Sequence, residues 1–127
     1  METIFITGGA GFVGSNLAIL LKEKYPSYTV LCMDNLKRRG SELNLNRLKE
    51  HGIEFVHGDI RDAKDFGQIT GEISCVIDAA AEPSVLAGLN GDTDYLINTN
   101  LNGTINALNF ALKHKAKFIF LIFIISR

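Results

Sequence analysis

Four glycines fall within the seven residues "GGAGFVG" (8–14), between an apolar, β-branched run, Thr3–Thr7, and a segment with helical spacing, Gly11–Lys24. Glycine weakens a helix or strand by roughly 0.5–1 kcal/mol relative to alanine, so a cluster at this junction must serve the turn itself. Gly8 follows the strand directly and supplies the unusual φ of a tight turn. Gly11 lets the backbone approach a bound diphosphate, and Gly14 lets the helix pack closely on the strand. The helix N-terminus, with Phe12 and Val13 in its first turn, then offers unpaired N–H groups and partial positive charge to an anion.

The rest of the chain continues that alternation. Further strand-like runs are Tyr28–Met33, Ile53–His57, Cys75–Ala79 and Phe118–Ile125. Between them, Ser41–Glu50 reads as a helix with Ser41 at its cap and Leu43, Leu45 and Leu48 following, and Asp62–Phe66 as a short helix. Asp92–Lys115 places Leu101, Ile105, Leu108 and Leu112 on one helical face and ends in Lys113, His114 and Lys115, which suits a helix C-terminus. Strands alternating with helices imply parallel pairing through right-handed crossovers. Nearly continuous apolar strands imply a sheet covered on both faces. The expected fold is an α/β doubly wound parallel sheet of five strands, in a single domain of 127 residues.

Composition narrows the function classes. A formal net charge of −1 gives no drive toward nucleic acid or an anionic membrane surface. The longest apolar run, Phe118–Ile125, is eight residues, short of the ~20 that a membrane helix needs. No charged segment precedes a long apolar stretch, so no secretory leader is expected. Cys32 and Cys75 sit in apolar runs without a C-x-x-C pairing, and are expected as reduced, buried thiols in a cytoplasmic protein. His51, His57 and His114 lack metal-ligand spacing, and no metal site is expected.

The glycine turn gains a second feature in Asp34, 20 residues beyond Gly14 at the end of the second strand. A carboxylate there can accept hydrogen bonds from both hydroxyls of an adenosine ribose, the arrangement of a dinucleotide site. A phosphate loop of the P-loop type fails, because Ser15-Asn16 follows where Lys and Ser/Thr are required. Asp34 repels a 2′-phosphate, whereas Lys37, Arg38 and Arg39 attract one from farther along the loop, or pair with Glu42 or face solvent. The acid lies nearer the ribose, so the expected cofactor is NAD.

"TGGAGFVGSNL" resembles the extended short-chain dehydrogenase/reductase family, the NAD-dependent epimerases and dehydratases of Rossmann fold that act mostly on nucleotide sugars. The resemblance implies roles for further segments. "HGDIRD" (57–62) is similar to the family's adenine-contacting segment, with Asp59 and Ile60 beside the base, and Asn35 joins Asp34 at its strand end. "DAAAEPS" (78–84) is similar to the strand end beneath the nicotinamide ribose, with Ala79, Ala80 and Ala81. "NLNGT" (100–104) is similar to the family's N-x-x-G-T, in which Asn100 supports the cofactor site. Each segment also has a plainer reading: Asp59 as a helix cap, the alanines as core filler, Asn100 as a solvent-facing polar residue.

Within that family, "DNLKRRGSELNLNRLKEHGIEFVHGDIRD" and "YLINTNLNGTINALNFALKHKAKFIFL" are most similar to the epimerases of CDP-linked dideoxy sugars. That resemblance implies epimerisation at C2, by oxidation to a keto sugar and hydride return to the opposite face. Two departures bear on catalysis. The family's Tyr-x-x-x-Lys is missing, since Tyr25, Tyr28 and Tyr95 are followed four residues later by Thr29, Cys32 and Thr99. The ending "FIFLIFIISR" carries Ile125 where the family has a hydroxyl residue. The expectation is therefore an NAD-binding part (1–127), truncated after its fifth strand and lacking the sugar-binding lobe, with no catalytic residue of its own. A nucleotide-sugar substrate is expected only in a full-length relative, and self-association is expected through Phe118–Ile125. The alternatives are a non-catalytic dinucleotide-binding regulatory or interaction module, and part of a sugar 4,6-dehydratase.

Overall fold

Runs of β-branched and apolar residues set the strands, and glycine, asparagine and aspartate punctuate them. A computed structural model describes residues 2–80 and 98–121. Thr3–Thr7 forms β1, Phe12–Lys24 α1 and Thr29–Asp34 β2. A 3-10 turn, Ser41–Asn44, runs into α2, Leu45–Glu50, which leads to β3, Glu54–His57. A second 3-10 turn, Ala63–Gln68, precedes β4, Cys75–Asp78. One π-helical turn, Asn98–Asn102, opens α3, Gly103–Lys113, and β5 is Lys117–Phe120.

The five strands form one parallel sheet in the order β3-β2-β1-β4-β5. From β1 the chain winds outward to β3, then returns to the other side of β1, so the order reverses between β1 and β4. Ligands of open α/β sheets bind at such a reversal, outside the carboxyl ends of the strands. In register there, Thr7 of β1 faces Asp78 of β4.

Alternate residues of each strand enter opposite cores, as the two-residue period dictates. Phe5, Leu31, Met33 and Val76 pack with Ile60, Phe66, Phe110 and Ala111 on one face. Ile4, Ile6, Val30, Cys32 and Ile77 pack with Ala18, Ile19, Leu48 and Ile53 on the other. The Phe5 ring meets Phe66 and Phe110 edge-on at 6.0 and 5.2 Å.

Several sequence expectations need correction. Ser41 is the first residue of its turn; Gly40, at φ +93°, takes the cap position. The helix expected to reach Lys115 stops at Lys113, because Lys115 adopts a left-handed φ of +54°. The Lys115 and Ala116 amides then bond back to Leu112 and Ala111, a Schellman ending. α2 ends in the same way through Gly52, at φ +71°. Leu101, Ile105, Leu108 and Leu112 share a face as expected, and it points outward, with Leu112 74% exposed. The buried face is Gly103, Ala107, Phe110 and Ala111. Gly103 closes on its neighbour there, since a Cβ on it would come within 2.4 Å of Ile60 Cδ1. β5 ends at Phe120, and the expected continuation over 122–125 lies outside the described residues, as do 92–97 of the last helix. Cys32 is buried and Cys75 only partly so; both are free thiols. No helix among the described residues is long and apolar enough to cross a membrane.

Candidate dinucleotide-binding site

The glycines after β1 serve three different contacts. Gly8 adopts φ +65°, and a Cβ there would lie 2.5 Å from the Ala79 carbonyl oxygen. A Cβ on Gly9 would strike Cys32, and one on Gly14 would come 2.2 Å from the Gly8 carbonyl oxygen. These three are set by the approach of chain to chain. Gly11 differs: among the described residues its Cβ would meet only the Gly8 oxygen, at 3.3 Å. No other described residue comes within 4 Å of that position.

Gly11 is also the N-cap of α1. Among the described residues no side chain caps this helix, and its first turn carries no acid. The first intrahelical bond runs from the Ser15 amide to the Gly11 carbonyl, so the amides of Phe12 and Val13 have no partner within the helix. Phe12 is 81% exposed at this mouth. An uncapped helix end beside a glycine-lined opening fits the diphosphate of a dinucleotide.

Asp34, the last residue of β2, is half-buried beside that opening. Its Oδ2 accepts the Ala10 amide at 3.0 Å and its Oδ1 the Leu36 amide at 2.8 Å. A carboxylate has about four acceptor positions, which leaves room for ribose hydroxyls. The Leu36 bond accompanies a left-handed φ of +59° at that residue. Asn35 Oδ1 accepts the Lys37 amide, and after Arg61 its side chain adds to the lowering of the Asp59 carboxyl pKa. Lys37, Arg38 and Arg39 are exposed. Of the neighbouring acids, Glu42 accepts the Gly40 amide.

Asp59 lies beyond β3 and is gripped by Arg61, whose amide and Nε both donate to Oδ1 at 2.9 Å. That guanidinium holds the Asp59 carboxyl below its usual range. Ile60 is buried against Gly103, and its carbonyl accepts from Asn106 Nδ2 at 2.8 Å. Its side chain belongs to the core and fixes the loop's position. Ala79 and Ala80 follow β4 beneath the Gly8 turn, with the Ala79 amide bonded to the Thr7 carbonyl at 3.2 Å. Asn100 sits in the π-helical turn that leads into α3. Ala81 lies outside the described residues.

The structure thus brings Gly8, Gly11, Phe12, Val13 and Gly14 to one turn, with Asp34 and Asn35 on one side and Ala79 and Ala80 on the other. It adds residues that sequence reasoning missed. Asn44 Nδ2 donates to the Ala10 carbonyl at 2.7 Å, and Arg47 bridges Asn44 Oδ1 and Asn16 Oδ1. Nothing local in the sequence marks these, because the contact depends on where the 3-10 turn comes to rest. Asp78, fully buried at the end of β4, had a signal: "CVID" ends in an acid as "LCMD" of β2 does. Among the described residues no group of three His, Cys, Asp or Glu side chains is placed to hold a metal.

Comparison with known proteins agrees with this geometry. The sequence model of the NAD dependent epimerase/dehydratase family matches residues 4–122. The chain is 37% identical over 109 residues to CDP-paratose 2-epimerase of Salmonella typhi, covering 83% of this chain and 31% of that protein. It is 33% identical over 111 residues to dTDP-glucose 4,6-dehydratase of Mycobacterium tuberculosis, covering 87% of this chain and 33% of that one. Its fold superposes with a TM-score of 0.78 on UDP-glucose 4-epimerase from Bifidobacterium longum, solved with NAD+ and UDP. That match is 29% identical and covers 94% of this chain and 36% of the other. The chain therefore spans about a third of the length of the curated relatives it matches.

Proposed function

This chain belongs to the NAD dependent epimerase/dehydratase family, and from that premise we propose that it is the NAD-holding part of a nucleotide-sugar epimerase. The observation that carries the reading is the Asp34 carboxylate at the end of β2, bonded to the amide of Ala10 within the glycine turn. One residue there serves both the ribose and the loop that takes the diphosphate.

The amides of Phe12 and Val13 at the α1 N-terminus, together with the open side of Gly11, hold the diphosphate. Asp34 accepts from the adenosine ribose, while Asn35, Asp59 and Ile60 border the adenine. Ala79 and Ala80 underlie the nicotinamide ribose, and Asn100 supports that end. When bound, NAD supplies oxidation of a sugar hydroxyl and return of the hydride. The chain's own residues bind and orient the cofactor.

The substrate class we infer is a CDP-linked dideoxy sugar, epimerised at C2. Its support is the 37% identity with the CDP-paratose 2-epimerase. A sugar 4,6-dehydratase is the second reading, supported by the match to the M. tuberculosis dehydratase over two more residues of alignment. A specific absence bears on both: none of Tyr25, Tyr28 and Tyr95 is followed by Lys four residues later. Residues 1–127 alone are therefore proposed to bind NAD without turnover, which is also what a regulatory dinucleotide-binding module would do. The test is incubation of the purified chain with NAD and CDP-sugars, followed by NMR of the sugars. No epimer above background is expected, since loss of general acid–base groups typically costs ~10²–10⁴ in rate. Steady turnover would contradict the assignment.

A further inference from the structure

Asp78 is fully buried, at the point where the strand order reverses. A buried carboxyl group is costly unless its lone pairs are engaged, and the preceding residues of β4, Cys-Val-Ile, show that an apolar side chain suits this strand. The carboxyl group is held from three directions. Oδ1 accepts the Thr7 hydroxyl of β1 at 2.7 Å and the Ala80 amide at 3.3 Å. Oδ2 accepts the Thr104 hydroxyl of α3 at 2.9 Å.

Each partner adjoins a different part of the candidate site. Thr7 immediately precedes Gly8, whose turn rests against Ala79 and Ala80. Ala80 belongs to the segment after β4. Thr104 stands in the first turn of α3, four residues beyond Asn100. The adenosine side rests on another set, Asp34, Asn35 and Asp59, none of which touches Asp78. A satisfied buried network of this kind rigidifies what it joins.

We propose that Asp78 is a positioning residue for the nicotinamide half of the dinucleotide, holding the Gly8 turn, the Ala79–Ala80 segment and the start of α3 in one arrangement. The proposal rests on the dinucleotide reading above and assigns it an internal division: Asp34 governs the adenosine half and Asp78 the other.

The division predicts a split between two probes. In calorimetric titrations of the 127-residue chain, Asp78→Ala should weaken NAD binding by about tenfold or more, the effect of losing one buried hydrogen-bonding partner. AMP, which lacks the nicotinamide half, should bind within about twofold of the parent. Asp78→Asn should recover most of the NAD affinity, because a threonine hydroxyl can rotate to accept from the new amide. Should Asp78→Ala fail to fold by circular dichroism, Thr104→Val carries the same test with a smaller split. Equal losses for NAD and AMP, or no loss for NAD, would overturn the positioning role while leaving the dinucleotide reading intact. A parent chain that binds neither nucleotide would overturn that reading and this proposal with it.

Discussion

Asp34 Oδ2 accepts the amide hydrogen of Ala10 at 3.0 Å, across 24 positions of sequence. The residue that ends β2 thus fixes the loop that follows β1, and Asn44 holds the other side of the same residue through the Ala10 carbonyl, at 2.7 Å. Asn44→Ala removes that donor without touching either ligand-facing group. Calorimetry should report NAD binding several-fold weaker, and thermal unfolding a loss of about 1 kcal/mol. Unchanged NAD affinity would mean that the loop holds its shape unaided.

The glycines separate folding from binding. Gly14→Ala forces a Cβ to within 2.2 Å of the Gly8 oxygen and should destabilise the chain by about 1–3 kcal/mol. Gly11→Ala meets, among the described residues, only a 3.3 Å contact and should change stability by less than about 1 kcal/mol, yet weaken NAD binding markedly. Urea melts and titrations on the same two proteins check this. A Gly11→Ala chain that binds NAD as the parent does would remove Gly11 from the site.

Asp59 gives a pH signature. Arg61 lowers its folded-state pKa, so its contribution to stability is present in full above the unfolded value of about 3.9. That contribution fades as pH falls through the folded-state pKa. Asp59→Asn should therefore be less stable than the parent at neutral pH, with the gap closing toward acid. Urea midpoints measured between neutral pH and about pH 2.5 test the sign. A gap that widens in acid would contradict the Arg61 pairing.

β5 is the outermost strand of the described sheet on its side, with Ile119 46% and Phe120 44% exposed. We propose that the 127-residue chain self-associates through the segment 118–125. The sequence of 118–125 is apolar, without charge or proline, and such a run beside a described sheet edge is a pairing template. Sedimentation should show oligomers that Phe120→Lys reduces more than Asn109→Lys on α3 does. A monodisperse monomer at high concentration would refute it.

The sheet, the glycine turn and Asp34 were legible because each leaves a local mark: β-branched runs, glycines where backbones touch, an acid at a strand end. Which face of α3 is buried was not legible from the sequence, for a physical reason. Two apolar stripes share the helix: Leu101, Ile105, Leu108 and Leu112 are the more hydrophobic, but the buried one is Gly103, Ala107, Phe110 and Ala111, where Gly103 closes on Ile60. Asn44 and Arg47 left no mark, since their contacts with Ala10 and Asn16 span 34 and 31 positions. Asp78 was visible as an acid ending an apolar strand, but its tie to Thr104 needed the placement of α3.

The central claim is that Asp34 makes this a site for NAD in preference to NADP. A carboxylate beside the ribose accepts from two hydroxyls and repels a 2′-phosphate, while Lys37, Arg38 and Arg39 lie on the exposed loop beyond it. The direct measurement is paired calorimetric titration of the parent chain and of Asp34→Ala with NAD and NADP at fixed salt. The parent should bind NAD at least about tenfold more tightly than NADP, a difference of about 1.4 kcal/mol. Asp34→Ala should bind NAD more weakly, having also released the Ala10 amide, and should discriminate less between the two. Equal affinity of the parent chain for both cofactors would contradict the account.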